Sequence, residues 1–220
     1  MAPSKHALLS PSAGARWVAC PPSARLTERM PSETSPYAEE GTTAHYLCEQ
    51  VVRRSQPEWV GLPAAPAQDL WENDSYTPEM KAAAKLYAEF IHGIFDGFPH
   101  TPTICVEQRV SMTRWAPECF GTCDCLLIGD GILHVIDFKY GAGVPVSPVD
   151  NIQMMLYALG AWELFNTTDD IKTVRMSIVQ PRIQSEPETW ETSAESLLDW
   201  AENTLRPAAK LAWEGKGELN

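Results

Sequence analysis

Asp130-Gly131, set between the apolar runs Gly121–Ile128 (GTCDCLLI) and Ile132–Lys139 (ILHVIDFK), constrains this chain more than any other feature. Asp-Gly flanked by β-branched, strand-length runs is the strongest short-range signal for a β-hairpin. With Asp130 and Gly131 as the central turn residues, Gly129 faces Ile132. The same register sets Asp124 opposite Asp137 and Thr122 opposite Lys139. Directly opposed residues share a face with Cβ atoms roughly 5 Å apart, and residues two apart on a strand share a face as well. The register therefore predicts two carboxylates and one ammonium on a single patch of an apolar sheet.

Two neighbouring carboxylates repel, and burial penalises their charge further. A divalent cation relieves both effects. Mg²⁺ takes one or two carboxylates, keeps several waters and binds phosphate oxygens. A lysine beside such a centre can orient water or offset developing negative charge. The constellation suits metal-assisted hydrolysis of a phosphodiester. The competing reading is a hairpin with two unrelated surface acids, one of them paired with Lys139.

Further elements follow from periodicity. Ser10-Pro11-Ser12 starts a short helix carrying Trp17, capped by Ser10 or Ser12. Thr42 to Arg54 reads as a helix capped by Thr42 or Thr43, with Leu47 and Val51 as its apolar stripe and His45 in its first turn. Residues 55–78 hold several prolines with Trp59 and Trp71, and read as a loop that could form a flap. Pro78 to Phe95 is an amphipathic helix with Tyr87, Phe90, Ile91, Ile94 and Phe95 inward. Thr103 to Ser111 is a strand. Its Glu107 is a weak candidate acid, with pairing to Arg109 the preferred reading. Asp150 or Asn151 opens a helix to about Phe165, on which Gln153 and Tyr157, four residues apart, share a face. Thr173 to Val179 and a short stretch around Glu188 to Glu191 read as strands. Thr192 with Glu195 resembles a capping box for a helix to about Leu205, which Pro207 breaks or kinks. The expected architecture is a single α/β domain over residues 1–220, with a central mixed β-sheet flanked by helices. Its parts are an N-terminal loop and short helix over 1–40, the Pro-rich loop, a catalytic core over 103–182, and C-terminal helices over 192–214.

Gly-x-x-Asp ending in Asp124, then Asp137-Phe138-Lys139 on the next strand, then Gln153-x-x-x-Tyr157 on the following helix, resembles the PD-(D/E)xK nuclease superfamily and its restriction-endonuclease-like fold. Within it the chain is similar to the RecB-type branch, which carries a histidine on an early helix where this chain has Glu40-Gly41-Thr42-Thr43-Ala44-His45. The wording resembles more closely still an uncharacterised phage and prophage family of RecB-like nucleases. There, Arg16-Trp17, Cys20-Pro21, EGTTAH, DFKYGAGV, NIQMMLYALGA and IVQPR recur in this order, so the resemblance runs from about Ser10 to Gly217. It implies a Mg²⁺- or Mn²⁺-dependent deoxyribonuclease, an exonuclease in phage recombination. Asp124, Asp137, the Phe138 carbonyl and His45 would be metal ligands, and Lys139, Gln153 and Tyr157 would be catalytic. An imidazole ligand suits Mn²⁺ better than Mg²⁺. The resemblance further implies DNA as substrate, a single-strand annealing protein as partner, and a homo-oligomer such as the rings of some phage exonucleases. In the resembled family an early cysteine joins three late ones around an iron–sulfur cluster. This chain ends at Asn220, about where those would begin, so Cys20 is not expected to complete such a cluster here.

Composition bounds the remainder. The net charge of −12 argues against a general nucleic-acid binder and leaves two readings. One is a nuclease with a local basic track, for which Arg16, Arg25, Arg109, Arg114, Lys139 and Arg182 are candidate phosphate contacts. The other is a catalytically inactive nuclease fold or acidic protein-binding module, an inhibitor or DNA mimic. Six scattered cysteines do not form a disulfide framework. Cys123 and Cys125 fall on one strand face as core residues, and a zinc reading of these two with Cys119 lacks a standard spacing. No apolar run reaches the ~20 residues of a membrane span. The first residues, MAPSKHALLSPSAG, show no signal core, which points to the cytoplasm, that of the host if the gene is a phage's.

Overall fold

The Asp130-Gly131 turn forms as expected. Both residues take positive φ (51° and 72°), the left-handed backbone that this tight turn requires. A computed structural model describes residues 7–28, 30, 36–55 and 68–219. Among these, β1 (Thr103–Ser111), β2 (Phe120–Gly129), β3 (Ile132–Phe138), β4 (Thr173–Val179) and β5 (Glu188–Ser193) make one five-stranded sheet in the order β1-β2-β3-β4-β5. All neighbours are antiparallel except β3 and β4, which are parallel. The parallel pair needs a crossover, supplied by α6 (Ile152–Asp169). The protein is thus a single α/β domain with a mixed sheet between helices.

Helices cover both faces. On one lie α3 (Pro36–Ser55) and α5 (Pro78–Asp96), packing Leu47, Val51, Tyr87 and Ile91 against Ile104, Val106, Leu127 and Phe138. On the other lie α6, the short α1 (Gly14–Ala19) and α2 (Ser23–Thr27), and the C-terminal α7 (Ala194–Trp200) and α8 (Arg206–Glu214). Residues Met154 to Ala161 of α6 are all buried, as befits the central helix of a layer. Trp17, fully buried, pins α1 and donates its indole N–H to the Ser10 carbonyl at 3.0 Å. The remaining helix, α4 (Gln68–Glu72), lies within the stretch read as a Pro-rich loop, and residues 56–67 of that stretch fall outside the described part.

Several local expectations need correction. Helix α3 begins at Pro36 rather than Thr42. Thr42 and Thr43 therefore do not cap it; their hydroxyls donate back to the Ala38 and Glu39 carbonyls, and His45 sits in mid-helix. The cap of α7 is Ser193, not Thr192: its Oγ accepts from the Ser196 N–H. Pro207 does not end the C-terminal helix. A π-helical turn, Ala201–Leu205, joins α7 to α8 and places Pro207 in the first turn of α8, where its missing N–H does no harm. Asn151, one of the two residues expected to open α6, accepts from the Met154 N–H.

The largest departure lies in the sheet. Val106 and Val110 have the same parity on β1 but are buried in opposite layers, as are Cys125 and Cys123 on β2. Cys123 and Cys125 therefore do not share a face. The inversion coincides with Glu107, whose φ of 54° lies in the left-handed region that non-glycine residues seldom occupy. Glu107 falls opposite Asp124 by register, yet the two are not ladder partners, while pairing resumes on both sides.

Candidate active site

The β2–β3 ladder ends at the pair Cys125 and Ile136. Beyond it β2 continues with β1 alone, and β3 continues with β4 through Phe138 and Val179. The expected ladder pairs Asp124–Asp137 and Thr122–Lys139 therefore do not form, and the main-chain N–H of Lys139 donates to the Val179 carbonyl instead. Asp124 and Asp137 still meet. Asp124 leans across the fork, and its Oδ2 accepts from the Phe138 amide at 2.7 Å.

The other singled-out side chains converge there. Lys139 Nζ lies 2.7 Å from Asp137 Oδ2, an ion pair without hydrogen-bond directionality, since that buried oxygen has no hydrogen-bond partner. Gln153 accepts from Lys139 Nζ at 3.1 Å, and its amide nitrogen lies 3.4 Å from both Asp137 Oδ1 and the Tyr157 hydroxyl. His45 arrives from the opposite layer: its Nδ1 is 3.5 Å from Asp124 Oδ2, and its ring meets that of Phe138 edge-on at 5.2 Å. Burial pushes the Asp137 carboxyl up to about 6; Lys139 opposes this and Asp124 adds to it. For His45 burial disfavours the charged ring, but the bond to Asp124 and the charges of Asp124 and Asp137 outweigh it, and its pKa is raised. Burial also raises the Tyr157 hydroxyl, which stays neutral.

The glycine of Gly-x-x-Asp has a steric reason. A Cβ on Gly121 would stand 2.7 Å from Tyr157 Cε1 and 3.0 Å from Pro11 Cγ, so only glycine lets Tyr157 close on β2.

Glu107, a lesser candidate acid by sequence, lies within electrostatic reach of Asp124. Among the described residues it makes no ion pair with Arg109, whose guanidinium stacks on Phe120 at 4.3 Å. Burial, then Asp124 and Glu49, push its carboxyl up to about 7. A left-handed, half-buried acid beside Asp124 is stored strain of the kind found at functional sites. Only the alignment of β1 with β2 brings it there; nothing in TICVEQRVS distinguishes it. Arg182, by contrast, is already engaged: it binds Glu40 and Glu79 and stacks on Tyr140, clamping α3 and α5 to the exit of β4.

The donor set fits a hard divalent cation. Two carboxylates meet, and Oδ2 of the buried Asp137 faces only the Lys139 ammonium, at 2.7 Å. Among the described residues no three His, Cys, Asp or Glu side chains stand together as a metal centre. A thiolate site is disfavoured, because burial raises the thiols of Cys123 and Cys125 and pushes that of Cys119 up to about 12.

Among solved structures, a "putative exonuclease" from Eubacterium rectale is 12% identical, with 96% of this chain and 82% of that one covered and a TM-score of 0.47. An alkaline exonuclease from Laribacter hongkongensis is 13% identical, with 94% and 88% covered and a TM-score of 0.40. No helix among the described residues is long and apolar enough to cross a membrane. A family model described as protein of unknown function, DUF2800, matches residues 6–220, nearly the whole chain, and the protein therefore belongs to that family.

Proposed function

We propose that this protein is a divalent-metal-dependent deoxyribonuclease that hydrolyses phosphodiester bonds, acting as an exonuclease. The observation that carries the reading is the joining of Asp124, Asp137, Lys139, Gln153, Tyr157 and His45 at one fork in the sheet, from β2, β3, α6 and α3. An inhibitor or DNA mimic has no use for a buried carboxylate paired with lysine. Asp124, Asp137, the Phe138 carbonyl and His45 would hold Mg²⁺ or Mn²⁺. Such an ion, when bound, stabilises charge on the phosphoryl group and acidifies water.

The chain's own groups have separable tasks. Lys139, held between Asp137 and Gln153, presents its ammonium at the mouth of the fork, where it positions the attacking water and offsets negative charge on phosphate. Gln153 steadies Lys139 and, through its amide, Asp137 and Tyr157. Tyr157, neutral and pressed against Gly121, offers a hydroxyl to a phosphate oxygen. His45 orients Asp124, and Glu107 adds a further acid beside it. A role in phage recombination, in the cytoplasm and beside a single-strand annealing protein, rests on the family resemblance of the motifs, as does assembly into a homo-oligomer.

The test is cleavage of end-labelled linear and of closed circular DNA with Mn²⁺, Mg²⁺ or EDTA, by wild type and Asp137→Ala. Metal-dependent loss of the linear form alone, absent in the variant, is the expected result. No cleavage by well-folded protein with either metal would sink the enzyme reading and promote the acidic binding module.

A further inference from the structure

A groove of about 790 Å³ opens between α1, α2, α8 and the free arm of the β1–β2 hairpin. Its walls bring together Arg16, Arg25 and Arg109 with Phe120 and Trp213, against the carboxylates of Glu28 and Glu118. The lining sets three arginines against two glutamates, an excess of one cation in a chain of net charge −12. Most described arginines are neutralised: Arg25 by Glu28 within the groove itself, and outside it Arg53 by Glu49, Arg54 by Asp69, Arg175 by Glu191, Arg182 by Glu40 and Glu79, and Arg206 by Glu202. Among the described residues Arg16, Arg109 and Arg114 have no carboxylate at ion-pair distance, and two of these three line the groove.

Both are held in place without losing charge. Arg16 spends one guanidinium nitrogen on the Ser23 carbonyl and the Thr27 hydroxyl, at 2.8 and 2.9 Å. Arg109 lies over the Phe120 ring, as Arg25 lies over Trp213 at 4.7 Å. Cations fixed on aromatic faces lose little freedom on meeting an anion. The groove also adjoins the fork. Arg109 pairs with Thr122, two residues from the Glu107 and Asp124 positions, which is roughly 7 Å along a strand. Gly121, beside Phe120, touches both Pro11 and Tyr157.

We propose that this groove binds one strand of the DNA substrate, with Arg16 and Arg109 on consecutive stretches of its phosphate backbone as it runs to or from the fork. This rests on the nuclease reading above. Arginines interleaved with aromatic rings are the pattern of single-strand channels. A cavity of this size lies in the range of small-ligand sites and does not seat a duplex. The acidic remainder of the surface repels the polyanion, so that binding is confined to this track.

The experiment measures binding of a short fluorescein-labelled single-stranded DNA by anisotropy, in EDTA and over a series of salt concentrations. Wild type, Arg109→Gln, Arg109→Lys, the Arg16→Gln/Arg109→Gln pair and a control, Lys172→Gln, at the far end of the sheet, are compared. Each lost phosphate contact lowers the slope of log K on log salt by about 0.7 and weakens binding about three- to tenfold at low salt. Arg109→Gln should show one such step and the double variant two, whereas Arg109→Lys keeps the wild-type slope with an affinity between wild type and Arg109→Gln, and Lys172→Gln stays near wild type. Arg109 is exposed and makes no buried contact, so its variants fold whatever becomes of Arg16. An unchanged affinity and slope in Arg109→Gln, or tighter binding of duplex than of single strand, overturns the groove. The cleavage assay is read separately. Cleavage lost in Asp137→Ala with unaltered binding in Arg109→Gln would leave the nuclease and remove the groove. Arg109-dependent binding without any cleavage would do the reverse.

Discussion

The amide of Phe138 donates to the carboxylate of Asp124 at 2.7 Å across the point where β2 and β3 part. This one bond replaces the ladder that the hairpin would otherwise continue, and it turns Asp124 toward the buried Asp137. The fork, rather than the hairpin, brings the candidate residues together.

A cation bound at the fork should be visible without any catalysis. Ligand binding to the native state alone stabilises it by about 2.7 kcal/mol at one hundred times its dissociation constant. Mn²⁺ or Mg²⁺ should therefore raise the thermal midpoint of the wild type and leave that of Asp137→Asn unmoved. Equal shifts in both proteins would place the ion elsewhere.

Glu107 occupies left-handed backbone, which asparagine tolerates better than glutamate. Glu107→Asn should raise stability by about 1 kcal/mol in urea unfolding, while cleavage falls at least about tenfold through loss of the acid beside Asp124. A destabilised Glu107→Asn protein would show that the strain is not there to be relieved.

Gly121→Ala forces a methyl group into the space taken by Tyr157 Cε1 and Pro11. Overpacking of this kind costs about 1–3 kcal/mol. Tyr157 must move, so the loss in cleavage rate should exceed that of Tyr157→Phe, which keeps the ring in place. Measured kcat values for the two variants decide it.

His134, buried on β3, is hydrogen-bonded through Nε2 to the Ser177 hydroxyl at 2.7 Å, and burial, then Arg175, push its pKa down to about 3. The unfolded chain takes up this proton near pH 6.5, whereas the native protein resists it until about pH 3. Its contribution is thus fully present above about pH 6.5 and is lost as pH falls through that window, at about 1.4 kcal/mol per unit. Urea unfolding between pH 7 and pH 4.5 should show a shallower loss for His134→Gln than for wild type. Parallel curves would refute the assignment.

Gln180 is almost fully buried, and its side chain binds three main-chain groups of the loop after Lys139: the carbonyls of Gly141 and Val144 and the N–H of Val146. Gln180→Ala should cost about 1–3 kcal/mol and speed amide exchange at Val146. Exchange unchanged at that residue would mean the loop is held by other contacts.

Much of this architecture is written locally. The Asp130-Gly131 turn, the β-branched runs beside it and the Asn151 cap depend on neighbours a few residues away, and the chain's own chemistry suffices for them. Pairing of β2 with β3 follows from the turn, because a two-residue loop leaves one register that buries the apolar face. What lies across the fold needed the tertiary structure. Thr42 and Thr43 look like caps until the helix is seen to start at Pro36, in turns where Arg182, distant in sequence, ties Glu40 to Glu79 of α5. Glu107 looks like any strand glutamate until β1 is set beside β2 and both invert. Arg16 and Arg109, 93 positions apart, become one groove only when α1 docks on the hairpin arm. Turn chemistry acts over a few bonds and so can be read along the chain. The fork, the strained acid and the groove arise from the twist of two strands against separate helical layers, an interaction that no single segment contains.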